Sequence, residues 1–200
     1  MNRVFTPNEQ VQIFHKSFAD SDTILWMLWA GKETAYKIIC KDDLSVSSIP
    51  RQYEVKFCHC MKCKEAVGFS GGGYHVAGFV DTPRNKVHIR IFINHDYIHC
   101  IGTSHAAEYL NSVVCHVENL PPVKSSTPDY ESEFVRTALK KHLACYCNTN
   151  SEKIEIRREK TLRGLGPPLI YMSGIQTDVD ISLSHDGRFV AYAFILNHAN

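Results

Sequence analysis

Residues 25–41 read LWMLWAGKETAYKIICK, and this stretch decides how the chain folds. At about 100° per residue, Leu25, Leu28, Trp29, Tyr36 and Ile39 fall on one stripe of a helix, and Lys32 falls inside it. A lysine amid that stripe either snorkels to the surface or meets a buried anion. Glu33 and Lys37, four apart, share the neighbouring face. The plainer reading of that pair is a surface ion pair worth roughly a few tenths of a kcal/mol. The sharper one is a carboxylate for a divalent cation, with two ammonium groups for phosphate oxygens beside it. The polar break Ala19-Asp20-Ser21-Asp22 can cap this helix, which is predicted over residues 23–40.

Upstream, Thr6 can cap an earlier helix, Pro7 suits its first position, and Glu9 stands where a capping box requires it. Val11, Phe14 and Phe18 then recur at helical spacing. Downstream, residues 42–130 read mostly as strands and turns. YEVKFC, YHVAGFV, VHIRIFI and YIHCIGT are rich in β-branched and aromatic residues, with Gly71-Gly72-Gly73 and Asp81-Thr82-Pro83 between them. Residues 120–129 are linker-like. A helix over about residues 131–145 should turn Phe134, Leu139 and Leu143 inward. The tail gives a strand (KIEIRRE), a Gly/Pro loop (RGLGPP), a short strand (LIYM) and a closing hairpin, DISLSHDGRFVAYAFIL, turning at Asp186-Gly187. Along its first strand Ile181, Leu183 and His185 point one way, and Ser182, Ser184 and Asp186 the other. The fold class is α+β.

Lys and Arg number 22 against 21 Asp and Glu, a net charge of +1 over 200 residues. That balance gives no general reason to bind nucleic acid or an anionic membrane. No run approaches the ~20 apolar residues of a membrane span, and the polar start does not read as a signal peptide, so a soluble cytoplasmic protein is expected. The eight cysteines are then free thiols or metal ligands. Cys58, Cys60 and Cys63 fall in CHCMKC, but the only second cluster, Cys145 and Cys147 in CYC, is not the matching knuckle that structural zinc sites use. Ordinary thiols are the plainer reading. There is no H-E-x-x-H, G-x-S-x-G, Walker loop or G-x-G-x-x-G followed by a helix.

Trp29-Ala30-Gly31-Lys32-Glu33-Thr34-Ala35-Tyr36-Lys37 resembles the W-x-x-K-E-A-x-x-K motif of 4′-phosphopantetheinyl transferases. Arg3-Val4-Phe5-Thr6-Pro7-Asn8-Glu9 resembles the R-x-F-T-x-x-E segment of the holo-acyl-carrier-protein synthase branch. Gly166-Pro167-Pro168 stands where the family has G-K-P or G-P-P, and ISLSHDGRFVAYAFIL resembles its closing S-x-S-H-D hairpin. The pieces occur in the family's order and cover residues 3–41 and about 131–197. The resemblance implies an antiparallel sheet packed on the long helix, in one domain over residues 1–200. Relative to the small synthases, a β-rich lobe is inserted at about 42–130.

The implied reaction transfers 4′-phosphopantetheine from coenzyme A to a serine of an acyl or peptidyl carrier protein, as in fatty-acid or polyketide biosynthesis. The serine oxygen attacks the β-phosphate and 3′,5′-ADP leaves, with magnesium (Mg2+) on the pyrophosphate. By position, Glu33 is the metal ligand, Lys37 holds the phosphates and Lys32 assists from the same helix. Ser184 and His185 contact the 3′-phosphate, and Gly166 and Pro167 line the nucleotide pocket. Arg3, Lys16, Lys41 and Arg51 are candidates for the basic surface that meets an acidic carrier. Family members open with a strand of the type G-x-D-I-V whose aspartate also binds the metal, and this sequence starts at the segment after it. An inactive relative that still binds carrier protein or coenzyme A is therefore the alternative, and a zinc-stabilised module built on the cysteine-rich segment is a third. Small synthases trimerise and longer ones close the site within one chain, which leaves a homo-oligomer and a monomer both open.

Overall fold

Two helices and five strands of the first half grow out of local signals in the sequence. A computed structural model of the chain describes residues 3–15, 19–58, 63–64 (backbone only), 73–122, 129–161 and 164–196. These divide into two units, Met1–Asn111 and Ser112–Asn200. In the first unit, helix α1 (Pro7–His15) begins with the expected capping box. The Thr6 backbone N–H donates to Glu9 Oε2 at 2.8 Å, and Glu9 N–H donates to Thr6 Oγ1 at 3.3 Å. Helix α2 (Ser21–Asp42) is capped by Asp20, whose Oδ1 accepts from the Thr23 backbone N–H at 2.9 Å.

Strands β1 (Glu54–Phe57), β2 (Cys63–Lys64), β3 (Tyr74–Asp81), β4 (Lys86–Ile93) and β5 (Ile98–Thr103) form one antiparallel sheet. Its order is β1-β3-β4-β5, with β2 also on β3. The sheet packs on α2, chiefly through β5 and β4. Ile24, Met27, Leu28, Ala35 and Ile39 of α2 are buried in one cluster with Val55, Val80, Val87, Ile89 and Ile91. The buried face of α2 is thus rotated from the expected stripe: Leu25, Trp29 and Tyr36 are only half-buried. Gly31 lies against the sheet, where a Cβ would be 3.1 Å from Val55 Cγ2 and 3.2 Å from Ile89 Cδ1, so a small residue there lets the helix sit close. α1 forms where its cap and spacing predict, but its apolar residues at helical spacing are not the ones it buries. Val11 and Phe14 are 53% and 67% exposed, Ile13 and Glu9 are buried instead, and Phe18 lies outside the described residues.

The segment expected as an inserted lobe is divided. Its strands β1–β5 make the sheet under α2, whereas β6 (Val114–Asn119) belongs to the second unit. There β10 (Val179–Asp186), β11 (Phe189–Leu196) and β6 form one antiparallel sheet in that order. β7 (Ile154–Thr161), β8 (Gly164–Met172) and β9 (Ile175–Gln176) form another. Helix α3 (Tyr130–Tyr146) packs on β7, β10 and β11. Its Val135, Leu139 and Leu143 are buried with Ile154, Ile170, Ile181, Val190, Tyr192 and Phe194, while Phe134 is half-buried. The final hairpin turns one residue later than expected: Asp186 still pairs with Phe189, leaving Gly187-Arg188 as the loop. Gly187 has φ +56°, in the left-handed region that glycine enters at least cost. RGLGPP is not a loop throughout, because β8 starts at Gly164. Arg158 pairs with Pro168 and Lys160 with Leu165, so Gly166 and Pro167 together oppose the single residue Glu159 as a β-bulge. Among the described residues no helix is long and apolar enough to cross a membrane.

Two features of the first unit have measurable consequences. A Cβ on Gly102 of β5 would lie 2.9 Å from Ile38 Cδ1, 3.0 Å from Thr34 Cγ2 and 3.1 Å from the His88 carbonyl oxygen. Gly102→Val should therefore destabilise the protein by about 1–3 kcal/mol in urea titrations, by overpacking the helix–sheet seam. His99 stacks on Phe92, and burial, with Lys37 adding to it, pushes its pKa down from 6.5 to about 4. Between those values the unfolded chain binds a proton that the folded ring refuses, so stability falls as pH drops from 6.5 toward 4, by on the order of 2–3 kcal/mol. His99→Gln should flatten that part of a stability–pH profile measured by urea unfolding.

Candidate functional site

Lys32 lies in the core, 1% exposed, and its buried anion is Glu9, 0% exposed, with Nζ 2.7 Å from Oε2. The remaining ammonium protons go to the carbonyl oxygens of Pro50, at 3.1 Å, and Tyr53. Glu9 is equally occupied: Oε2 also accepts from the Thr6 N–H, and Oε1 accepts from the Val55 N–H at 2.8 Å. Burial lowers the pKa of Lys32, and the Glu9 carboxylate opposes that shift by hydrogen bond and charge. With every proton engaged inside the unit, Lys32 has none to offer a ligand. Its chemistry is that of a joint between α1, α2 and the entry to β1.

Glu33, the next residue on α2, is half-buried, and Lys37, one turn further, is exposed. Core packing thus holds the helix by Lys32 and leaves the adjacent face, with a carboxylate and an ammonium, at the surface of the first unit. Thr34 turns toward the sheet, its hydroxyl donating to the Cys100 carbonyl oxygen at 3.3 Å. Of the basic residues considered for a protein partner, Arg3 and Arg51 are exposed, Lys41 is half-buried and Lys16 lies outside the described residues.

The other expected site residues belong to the second unit. Gly166 is buried and Pro167 half-buried in the bulge of β8. A Cβ on Gly166 would sit 3.4 Å from the Glu159 carbonyl oxygen, in ordinary contact. Ser184 and His185 are consecutive on β10 and point to opposite faces. His185 is half-exposed, with Nδ1 2.7 Å from Glu131 Oε2 in the first turn of α3. In cross-strand register His185 opposes Val190, and Val190 opposes Glu118. The next row of the same face holds Leu183, Tyr192 and His116. His142 of α3 closes on that row, Nδ1 to the Tyr192 hydroxyl at 3.0 Å, beside a cavity of about 390 Å³ between α3 and the sheet. Burial lowers the pKa of His142 and raises that of Tyr192, so both are neutral near pH 7.

Two of these partners escaped the sequence reading. Glu9 was visible as a cap residue, and Lys32 as a lysine needing an anion; nothing in spacing alone joins them across 23 positions. Glu131 carried no signal. Among the described residues no group of three or more His, Cys, Asp or Glu gathers as a metal site. Cys58 and Cys145 are exposed free thiols, and Cys60 lies outside the described residues. The chain matches no protein-family model, no curated protein and no solved structure.

The geometry separates Lys32 from Lys37 experimentally. Lys32→Ala, which leaves Glu9 charged and buried, should cost about 3–5 kcal/mol of stability. Lys37→Ala should stay within about 0.5 kcal/mol of the parent. Replacing both partners, Glu9→Leu with Lys32→Met, should recover most of the loss in a double-mutant cycle of urea unfolding.

Proposed function

We propose that the protein transfers 4′-phosphopantetheine from coenzyme A to a serine of an acyl or peptidyl carrier protein, releasing 3′,5′-ADP. The observation that carries this reading is the Glu9–Lys32 pair. It joins the F-T-x-x-E segment to the W-x-x-K-E helix, two stretches that resemble consecutive motifs of the 4′-phosphopantetheinyl transferases. A framework that buries the glutamate of one motif against the lysine of the other gives both a reason to occur together. It also leaves Glu33 and Lys37 clear of the core. The α+β architecture, a long helix on an antiparallel sheet, is compatible with that family's fold.

Magnesium usually keeps several waters and is held by one or two carboxylates plus substrate phosphates. Glu33 would be a carboxylate ligand of an ion carried in on a pyrophosphate, a donor set that fits a cation keeping most of its waters. Bound there, magnesium would neutralise charge on the phosphate oxygens. Lys37 holds phosphate oxygens and offsets the charge that builds on the leaving 3′,5′-ADP as the β-phosphorus–oxygen bond breaks. Glu33 orients the water or base that takes the proton from the attacking serine hydroxyl. Arg3 and Arg51 are exposed cations for the acidic surface of a carrier.

The alternative reading is an inactive relative that binds coenzyme A or carrier protein without turnover. Intact-mass spectrometry decides between them. The protein, coenzyme A, magnesium and a panel of apo-carrier proteins should give a phosphopantetheine mass shift on the carrier. Glu33→Ala and Lys37→Ala should abolish the shift while unfolding at the parent's urea midpoint. Coenzyme A binding with no shift for any carrier would instead favour the inactive relative.

A further inference from the structure

We propose that Cys58, Cys63 and His75 hold a zinc ion at one edge of the first unit's sheet. The motif CHCMKC has no matching cysteine knuckle elsewhere in the sequence, and strand register supplies a partner of another kind. Phe57, at the end of β1, lies opposite Gly78 of β3. The Cys58 N–H continues that ladder by donating to the Ala77 carbonyl oxygen at 2.9 Å. Cys63 then opens β2 opposite His75 of the same strand. The two cysteines are five apart in sequence but only two ladder positions apart along β3, with Val76 alone between their partners. β4 occupies the other edge of β3, so both cysteines stand on one edge.

Alternation along β3 decides the face. Val76 and Val80 belong to the core cluster under α2, so His75 and Ala77 belong to the opposite face. Residues paired across a ladder share a face, which places Cys58 and Cys63 there with His75. Strand spacing puts Cys63 about 5 Å from His75 and Cys58 about 7–8 Å from each, Cα to Cα. Two thiolates and an imidazole at that spacing can close on one ion at about 2.0–2.3 Å. His75 adds an independent sign: its Nδ1 is buried and has no hydrogen-bond partner. A buried imidazole nitrogen without a partner is costly, and a metal on its lone pair removes the cost. Its ring leans on Phe92, centroids 6.1 Å apart, which gives the position an apolar wall. Sulfur and imidazole donors select zinc over magnesium or calcium. Three protein ligands leave the fourth position of the tetrahedron to water or another donor. The ion would tie the end of β1 to β2 and to the strand that both of them pair with.

The test uses the full chain, reduced and stripped of metal, titrated with zinc against a chromogenic chelator. One zinc per chain should bind and should raise the urea unfolding midpoint. Cobalt(II) in its place should show the sulfur-to-metal charge-transfer bands of thiolate ligation. Cys58→Ser, Cys63→Ser and His75→Phe should each weaken zinc by more than the roughly 10–100-fold lost with a residue that only hydrogen-bonds a ligand. His75→Phe keeps a ring beside Phe92 and removes the nitrogens. Cys58 is exposed, so Cys58→Ser carries the same test without disturbing packing. Cys145→Ser, which removes an exposed thiol of the second unit, should leave zinc affinity unchanged. A parent chain that takes up no zinc overturns the site. So does zinc affinity that ignores Cys58→Ser and His75→Phe, or that falls with Cys145→Ser instead.

Discussion

An ammonium and a carboxylate, both withdrawn from water, govern the first unit. Taking two charges into a protein interior costs several kcal/mol per ion unless geometry and further hydrogen bonds offset it. Glu9 and Lys32 meet that condition through five polar partners: each other, the Thr6 and Val55 amides, and the Pro50 and Tyr53 carbonyls. Four of those groups are backbone, so satisfying the pair fixes the path of the chain in three places. The α1 start, the rotation of α2 and the turn into β1 cannot vary independently. A helix anchored by Lys32 has its next residue turned by roughly 100°, and Glu33 acquires its orientation from that arithmetic.

The same arithmetic explains what the sequence could and could not say. The helix boundaries were legible because caps are local: Thr6 with Glu9, and Asp20 with Thr23, lie within four positions. Strands β3, β4 and β5 were legible from their β-branched and aromatic runs. The buried face of α2 was not, because a hydrophobic stripe measures affinity for an interior and says nothing about how near the opposing sheet comes. At Gly31 a Cβ would already lie 3.1 Å from Val55 Cγ2, and glycine does not score as a strong apolar residue. Val11 and Phe14 mark α1 by their spacing but stay exposed, because α1 is short and its fixed contact is through Glu9 and Ile13. At the candidate site, Glu33 and Lys37 were legible as a pair four apart, whereas the Glu9 and Glu131 partnerships are long-range contacts that periodicity cannot encode.

Strand alternation organises the second unit in a comparable way. Consecutive polar residues on β10 serve opposite faces, so Ser184 and His185 reach different surroundings despite adjacent positions. The face shared by His185, Glu118, Tyr192 and His116 has an apolar end at Ile181, Phe194 and Val114. The helix above it follows the same gradient, with Leu139 and Leu143 in the core and Glu131 at the polar end. Matching gradients on helix and sheet give the unit a dry part that supplies stability and a wetter part that can vary in chemistry.

The bulge in β8 bears on how readily this edge of the sheet could accept another strand. A strand invites a foreign strand when it offers a regular row of amide donors and carbonyl acceptors. Pro167 and Pro168 in succession remove a donor from each side of β8, and the extra residue opposite Glu159 breaks the spacing of what remains. Among the described strands β9 covers only the far end of β8, at Tyr171 and Met172. The uncovered stretch is thereby the one least able to template a cross-chain ladder.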